Sequence, residues 1–241
     1  MPESTPCYSI VIPIHNEAEC LEVEVRGLVG ELDARGVDFE LLLAENGSSD
    51  ATPEIADSLA AADPRVRVLR SPVPDYGYAM KMGMLAARGD YVANFDIDFH
   101  DVSFLLSAGT LLEGDAGIVV GSKLMEGAED RRSFARHLVS SGFTTILRLL
   151  FDRRMDDTHG MKVLRREVVR QYAPLTVMTR DLFDTELIIR ARRAGVVVKA
   201  LPVTVEEKRK PRSSIVGRIP RTVKGLLRLR LALWKEENAG P

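Results

Sequence analysis

Residues 91–100 read Tyr-Val-Ala-Asn-Phe-Asp-Ile-Asp-Phe-His, an apolar run that ends in two aspartates and a histidine. The run Tyr91–Phe95 predicts a β-strand, and alternate side chains of an extended chain point the same way. We therefore expect Asp96, Asp98 and His100 to converge where the strand ends. Carboxylate oxygens in such a cluster suit Mg²⁺ or Mn²⁺, particularly where a diphosphate supplies the remaining ligands. The alternative is a solvated acidic turn with a free surface histidine.

Further apolar runs in the first half predict strands that alternate with helical patterns. Three strands are predicted before Tyr91–Phe95, at 8–14, 39–44 and 66–69. This alternation predicts an α/β domain with a mainly parallel sheet. Polar clusters follow three of the strands, at 15–17, 45–50 and 96–100. We expect them to share the carboxyl edge of the sheet, where such folds bind ligands.

The second half predicts longer helices and fewer strands. Phe134–Phe151 is an apolar helical stretch with few charges, and Phe183–Ala194 predicts another helix. Pro202 either ends the last strand early or confines it to an edge of the sheet. Strands are predicted at 117–122, 161–164 and 196–205, and a final helix at 221–235.

The composition is that of a globular protein. Of the 241 residues, 45% are apolar and 28% are charged, which is ordinary for this class. No apolar stretch reaches the ~20 residues that span a bilayer, and residues 1–6 carry no signal-peptide pattern. We therefore expect a cytoplasmic protein whose two cysteines, Cys7 and Cys20, are reduced thiols.

The C-terminal residues are strongly basic. Residues 206–241 hold ten basic and four acidic residues, a charge of +6 against −8 for the rest of the chain. This tail predicts an anionic partner such as a membrane surface or a phosphate, and a solvated helix face is the alternative. Nucleic acid is not expected as a partner, because no recognised fold or aromatic platform accompanies the charge.

Three motifs, in this order and spacing, resemble the family 2 glycosyltransferases of the GT-A fold. They are Pro13-Ile14-His15-Asn16-Glu17 after the first strand, Glu45-Asn46-Gly47-Ser48-Ser49-Asp50 after the second, and Asp96-Ile97-Asp98 after the fourth. The resemblance covers about residues 8–216. It extends to the dolichol- or polyprenyl-phosphate sugar synthases through further matches at Gly77–Asp90, Gly121-Ser122-Lys123, Asp157–Lys162, Glu186, Arg209 and Ser214.

This resemblance implies a domain organisation. The GT-A fold is a Rossmann-like α/β fold, a mainly parallel sheet flanked by helices. We expect one glycosyltransferase domain over residues 1–205, with a nucleotide-sugar-binding half at about 8–110 and an acceptor half at 111–205. A basic loop and an amphipathic C-terminal helix are expected to follow at 206–241.

The resemblance also implies a nucleotide-diphosphate sugar as donor and Mg²⁺ or Mn²⁺ as cofactor, held by Asp96, Asp98 and His100. A divalent ion neutralises the diphosphate and acts as a Lewis acid for the leaving group. The family usually has two aspartates where this chain has Glu45-Asn46, so GDP-mannose, UDP-glucose and UDP-N-acetylhexosamine all stay open. The implied nucleotide-sugar site consists of Pro13, Asn16, Glu17, Glu45, Asn46, Lys81, Asp96 and Ile97.

The implied acceptor is a polyprenyl phosphate. Its second pKa lies near ~6, so it is a nucleophilic dianion at neutral pH and needs cations rather than a general base. Lys123 and Arg209 are the strongest candidates for a phosphate clamp and are expected to act in catalysis with Asp98. The other candidates for this clamp are Arg131, Arg132, Lys162, Arg212 and Ser214.

Two alternative functions are kept. A family 2 enzyme that acts on a soluble hydroxyl acceptor needs a base, for which Asp181, Asp184 and Glu186 are the candidates. Otherwise Asp184 and Glu186 cap or pair on their arginine-rich helix. The second alternative is a non-catalytic nucleotide-sugar-binding protein, and the intact pair of Asp96 and Asp98 argues against it.

Two helices are expected to meet a membrane. Phe134–Phe151 is apolar, and the final helix carries an apolar stripe, with Leu226 and Trp234, beside a basic stripe. Such a helix fits the interface of an anionic lipid surface, although packing on the body of the protein is the alternative for both. We therefore expect a peripheral protein at the inner face of the membrane, bound through these helices or through a small membrane-embedded partner protein.

Overall fold

The computed structural model describes residues 7–123, 125–130, 134–153, 155, 158, 160–205 and 215–238. The strands are β1 (Tyr8–Ile14), β2 (Phe39–Asn46), β3 (Val66–Ser71), β4 (Tyr91–Asn94), β5 (Ile118–Ser122), β6 (Glu129–Asp130), β7 (Lys162–Arg165), β8 (Val198–Pro202) and β9 (Thr204–Val205). The helices are α1 (Leu21–Ala34), α2 (Thr52–Ala62), α3 (Tyr76–Ala86), α4 (Val102–Glu113), α5 (Phe134–Leu150), α6 (Arg166–Tyr172), α7 (Phe183–Arg193) and α8 (Ile215–Asn238). Two short 3₁₀ turns, Ala173–Leu175 and Arg180–Leu182, lie between α6 and α7.

Seven strands form one mixed sheet in the order β3-β2-β1-β4-β7-β5-β8. Neighbouring strands are parallel except around β7, which runs antiparallel to both β4 and β5. The predicted α/β fold with a mainly parallel sheet is therefore confirmed. The last predicted strand is divided, because Pro202 ends β8 at the sheet edge and β9 pairs instead with β6 in a separate two-stranded sheet.

The central strands are covered on both faces, which explains their nearly continuous apolar sequences. All eight residues of β2 are buried, and Ile10, Val11 and Ile12 of β1 are fully buried. Ile10 and Ile12 face the side covered by α1, α2 and α4, whereas Val11 faces the side covered by α3, α6, α7 and α8. Packing on both faces fixes the strand ends at which the polar loops begin.

Aspartates begin two of the helices beside the sheet. The Asp75 side chain accepts a hydrogen bond from Tyr78 N at 3.1 Å at the start of α3, and Asp101 accepts one from Phe104 N at 3.0 Å at the start of α4. Such N-caps satisfy backbone donors that the helix itself leaves open. Both helices therefore begin at a defined residue close to the carboxyl edge.

The long C-terminal helix α8 packs on the sheet face that also carries α7. Its 24 residues include Pro220. In the part of the chain that the structure describes, no helix combines the length and hydropathy that a membrane span requires.

Candidate active site

A pocket of about 220 Å³ opens at the carboxyl edge of the central strands. The pocket lies where the loops after β1, β2 and β4 meet, so the three predicted polar clusters do share this edge. This edge is where open α/β sheets bind ligands. The residues that line the pocket are Pro13, Ile14, His15, Glu17, Asn46, Tyr76, Asp96, Ile97 and Asp98.

The two aspartates lie on a tight turn rather than on an extended strand. β4 ends at Asn94, and Asp96 and Phe99 then exchange backbone hydrogen bonds of 3.2 and 3.1 Å. The chain therefore reverses between Asp96 and Phe99, and the alternation expected of a continuing strand is wrong here. Asp96 and Asp98 still line the same pocket, because the turn projects over it.

The turn directs His100 away from this pocket. The histidine side chain is not among the residues that line it, and His100 Nε2 lies 4.0 Å from Glu24 Oε2 of α1. Among the described residues, no group of three histidine, cysteine or acidic side chains could hold a metal ion. The expected set of Asp96, Asp98 and His100 is therefore not brought together as three ligands.

The pocket has an acidic floor. Asp96 is half-buried, and burial raises the pKa of its carboxyl to about 6. The positive charge of Lys162 lowers this pKa, while the negative charges of Asp98 and Asp184 raise it. The ionised form of Asp96 is thus disfavoured in the folded protein, and a cation in the pocket would stabilise it.

The loops after β1 and β2 interlock beside the aspartates. Asn16 has φ 55°, in the left-handed region that asparagine tolerates, and its Oδ1 accepts a hydrogen bond from Ser49 N at 2.8 Å. Asn16 N in turn donates to Ser48 Oγ at 3.0 Å, and Glu17 N donates to Thr52 Oγ1 at 2.7 Å. These bonds hold the β1 loop rigidly against the β2 loop.

Glu45 and Asn46 were expected to belong to the nucleotide-sugar site, but their side-chain oxygens accept hydrogen bonds from the backbone of neighbouring loops. Glu45 Oε1 accepts a hydrogen bond from Ser48 N at 2.6 Å, and Asn46 Oδ1 accepts one from Asp75 N at 2.7 Å. Asn46 therefore ties the end of β2 to the residue that caps α3. It also lines the pocket, whereas Glu45 is buried behind it.

Tyr76 is a pocket residue that sequence reasoning missed. Its hydroxyl lies 3.4 Å from Asp184 Oδ2 and 3.5 Å from Asn94 Nδ2, which are long hydrogen-bond distances. A Cβ at Gly77 would lie 2.6 Å from Arg180 N, so only glycine lets α3 start this close to the 3₁₀ turn. The glycine after Tyr76 was the available signal, since a close approach of backbones often requires one.

A buried ion pair lies behind the pocket. Lys162 begins β7, opposite Asn94 of β4, and its Nζ lies 3.0 Å from Asp184 Oδ2 of α7. The side chains of Lys162 and Asp184 are only 1% and 4% exposed. Asp184 Oδ1 is also buried and has no hydrogen-bond partner among the described residues. Lys162 was expected to clamp the acceptor phosphate, but its ammonium is committed to Asp184 in this structure.

Residues 9–173 match the family model described as Glycosyl transferase family 2. The chain belongs to glycosyltransferase family 2. The predicted family and the predicted class of enzyme, a glycosyltransferase, are thereby confirmed.

Two relatives of this family 2 chain illustrate how far the similarity extends. It is 34% identical over 206 residues to glycosyltransferase AglD of Haloferax volcanii, a stretch that covers 83% of the chain and 33% of AglD. It is 28% identical over 227 residues to ALG5C of Trichomonas vaginalis, named a dolichyl-phosphate beta-glucosyltransferase, covering 88% of the chain and 67% of that protein. The chain thus spans one third of the length of AglD.

A solved structure shares the fold of this glycosyltransferase. It is the glucosyl-3-phosphoglycerate synthase of Mycobacterium tuberculosis, crystallised with Mn²⁺, UDP and glucosyl-3-phosphoglycerate. The TM-score is 0.68 at 22% identity, and the match covers 93% of this chain and 80% of that one. The predicted GT-A fold is confirmed.

The remaining predicted residues of this glycosyltransferase lie in different places. Lys81 donates to the carbonyl oxygens of Pro174 and Thr176 at 3.2 and 2.9 Å, so it ties α3 to the segment after α6 instead of lining the pocket. Lys123 follows β5, and its ammonium lies beside Gly160. The other clamp candidates lie outside the described residues; they are Arg131, Arg132, Arg209, Arg212 and Ser214.

Glu186 has a structural role in α7. Its Oε2 accepts hydrogen bonds from Val177 N and Met178 N at 2.9 and 2.6 Å, and its Oε1 lies 2.7 Å from Arg190 Nε. The side chain is fully buried. The alternative in which Glu186 caps and pairs therefore agrees with the structure, and its carboxylate is occupied on both oxygens.

Asp96→Asn is expected to stabilise this glycosyltransferase at neutral pH but not at pH 4. Because the pKa of Asp96 is raised from 3.8 to about 6 on folding, the unfolded chain releases this proton first as the pH rises. The free energy of unfolding therefore falls between about pH 4 and pH 6 and stays at the lower value above pH 6. A shift of about two pKa units corresponds to at most about 3 kcal/mol, so we expect asparagine to recover about 1–3 kcal/mol at pH 7.5. Urea unfolding at both pH values measures this, and a variant less stable than the parent at pH 7.5 contradicts it.

Proposed function

We propose that this chain transfers a hexose from a nucleotide diphosphate to a polyprenyl phosphate, as a peripheral protein at the cytoplasmic face of a membrane. The observation that carries the proposal is the pocket at the carboxyl edge of the sheet, lined by both Asp96 and Asp98. The name of the Trichomonas relative, a dolichyl-phosphate beta-glucosyltransferase, supports a lipid phosphate as acceptor and glucose as the first sugar to test.

The donor diphosphate is proposed to bind at Asp96 and Asp98 with a divalent cation. Asp96 and Asp98 line the pocket together with Glu17, and burial disfavours the ionised form of Asp96 unless a cation lies beside it, which suits Mg²⁺ or Mn²⁺. Because no group of three histidine, cysteine or acidic side chains among the described residues could hold the ion, diphosphate oxygens would supply its remaining ligands. Such an ion supplies Lewis-acid stabilisation of the leaving nucleotide diphosphate. The Mycobacterium tuberculosis structure with Mn²⁺ and UDP supports this choice.

The nucleoside is proposed to lie against the β1 loop. Pro13, His15 and Glu17 line the pocket beside the aspartates, and His15 Nδ1 is hydrogen-bonded to the backbone oxygen of Asn46 at 2.9 Å. The interlocked loops hold these groups in place before the donor arrives. A preorganised site of this kind loses little entropy when it binds its ligand.

The acceptor phosphate is proposed to attack without help from a general base. A phosphate dianion needs none at neutral pH, and the α7 carboxylates are engaged elsewhere: Glu186 with backbone donors and Arg190, Asp184 with Lys162. A phosphate oxygen forms the new bond to the anomeric carbon as the bond to the nucleotide diphosphate breaks. In-line attack inverts the anomeric configuration. Lys123 and Arg209 are proposed to hold the acceptor phosphate.

A product scan tests this function. Purified protein with Mg²⁺ or Mn²⁺ and a short-chain polyprenyl phosphate is incubated separately with UDP-glucose, GDP-mannose and UDP-N-acetylhexosamine. We expect one donor to give a lipid-phosphate sugar, read by mass spectrometry of the organic extract. Transfer to a soluble hydroxyl acceptor instead, abolished by Asp184→Asn without unfolding the protein, would overturn the acceptor assignment. Asp184 Oδ1, for which the described residues provide no hydrogen-bond partner, is the observation that keeps this second candidate in the test.

A further inference from the structure

The C-terminal helix α8 has two apolar faces, and one of them is buried against the described part of the protein. Leu226, Leu229 and Leu233 are buried in the core cluster that includes α7 residues. Two ion pairs fasten the end of the helix to α7: Arg190 to Glu236 and Arg193 to Glu237, each at 2.8 Å. The inner face of α8 is therefore fully engaged with the body of the protein.

The second apolar face is exposed. It consists of Val223, Leu227, Leu231 and Trp234, whose exposed fractions range from 37% to 58%. Their spacing of four, four and three residues places them along one stripe of a helix with 3.6 residues per turn. We call these four residues the outer stripe. Leu226, which the sequence grouped with them, belongs instead to the buried face.

The charges of α8 are sorted between its two sides. At 100° per residue, the exposed basic side chains lie next to the outer stripe, on its side away from the body. Both glutamates at the helix end are paired with arginines of α7, as described above. Among the α8 side chains that the structure describes, from residue 219 on, the outward half therefore presents mainly apolar and positively charged groups. The basic residues concerned are Arg221, Lys224, Arg228 and Lys235.

We propose that the outer stripe docks α8 along an anionic lipid surface, with its side chains in the interface and the basic residues against lipid phosphates. This pattern of an apolar stripe beside lysines and arginines is that of helices that lie in the plane of a membrane. Charge complementarity favours lipid over a second copy of this chain, because two copies meeting through this face would bring like charges together. The inference deepens the proposed function, on which it rests for its biological role.

The side of α8 that faces the protein contacts a segment that borders the pocket. α8 packs on the 3₁₀ turn before α7, where Gly225 lies against Leu182. In the same turn, Arg180 N donates to Asp75 Oδ1 at 2.8 Å, and Asp75 directly precedes Tyr76 of the pocket. A short series of contacts thus connects α8 with the proposed donor site, through the side of the helix opposite the outer stripe.

Vesicle co-sedimentation of the full chain tests the docking face. The vesicles are phosphatidylcholine alone or mixed equally with phosphatidylglycerol, at low and at high salt. We expect the protein to bind the anionic vesicles at low salt, and the double variant Leu227→Ser/Leu231→Ser to bind about tenfold more weakly. Lys224→Gln/Arg228→Gln is expected to lose a similar factor, because each basic residue near the surface contributes to binding.

Matched controls test whether the loss of binding is specific to this face or follows from removing any exposed leucines or arginines. Leu85→Ser/Leu175→Ser removes two leucines that are 42% and 53% exposed outside α5 and α8, and Arg26→Gln/Arg170→Gln removes two exposed arginines on α1 and α6. Both controls are expected to bind anionic vesicles as the parent does. A parent chain that ignores anionic vesicles, or controls that lose as much as the α8 variants, would overturn the proposal. The proposal would also be overturned if the parent were a dimer that does not bind vesicles and if Leu227→Ser/Leu231→Ser made it monomeric.

The same proteins distinguish failure of docking from failure of the proposed function. With a short polyprenyl phosphate in lipid-free solution, the α8 variants are expected to turn over as the parent does. A parent that binds vesicles but yields no product with any donor leaves docking supported and contradicts the function. A parent that makes product but does not bind vesicles supports the function and contradicts docking.

Discussion

Asp98→Ala is expected to lower kcat/KM for sugar transfer by at least about 10²-fold, a loss of about 3 kcal/mol of transition-state stabilisation. Asp98 is one of the two aspartates in the pocket, and it lies half-buried on the Asp96–Phe99 turn, not in the core. Its removal weakens the proposed cation site without opening a cavity. Steady-state kinetics with the donor found in the product scan measures the effect.

A surface aspartate provides the control for Asp98. Asp115 is 68% exposed and pairs with Lys199 far from the pocket, so Asp115→Ala is expected to keep activity within about twofold. Thermal unfolding of both variants should match that of the parent closely. Full activity of a folded Asp98→Ala protein would remove Asp98 from the proposed cation site.

Breaking the buried ion pair is expected to have the largest effect on stability. Asp184→Leu leaves the ammonium of Lys162 buried without its partner. Lys162→Met likewise leaves the carboxylate of Asp184 buried without its partner. Each single variant is expected to lose about 3–5 kcal/mol of unfolding free energy. Urea denaturation measures the loss.

The double variant tests whether the two residues act as a pair. Lys162→Met/Asp184→Leu removes both charges, so we expect it to be more stable than either single variant, by about 2 kcal/mol or more. The exposed pair of Arg70 and Asp57 serves as the comparison, and Asp57→Ala there is expected to cost less than about 1 kcal/mol. Strictly additive losses at Lys162 and Asp184 would show that their charges do not compensate each other.

The sequence predicted the strands of the first half well because their burial leaves a local pattern. Strands covered on both faces need apolar residues at consecutive positions, and β1, β2 and β4 show such runs. Helices α4 and α6 were not predicted, although Asp101 caps α4. The direction of β7 was also beyond the sequence, because a four-residue apolar strand carries no sign of whether its neighbours run with it or against it.

For the site, the sequence predicted the residues of the loops better than their partners. Pro13, Glu17, Asp96 and Asp98 do meet in one pocket, because their place after parallel strands determines their position. The hydrogen bonds and ion pair of Lys81, Lys162 and Asn46 are made with segments distant in sequence. The local spacing of residues therefore could not predict them. The same holds for Tyr76, whose role follows from how closely α3 approaches the 3₁₀ turn before α7.

The antiparallel strand β7 also bears on how the protein is made. β7 lies between β4 and β5, and β5 contacts the sheet only through β7 and β8. During synthesis, β5 therefore leaves the ribosome with no strand to pair with, and β4 keeps an open edge until residues 162–165 follow. Open edges of this kind invite pairing with other chains. Until β7 is made, the nascent chain would thus be open to mispairing at both strands, and the central sheet is completed only when residues 162–165 join it.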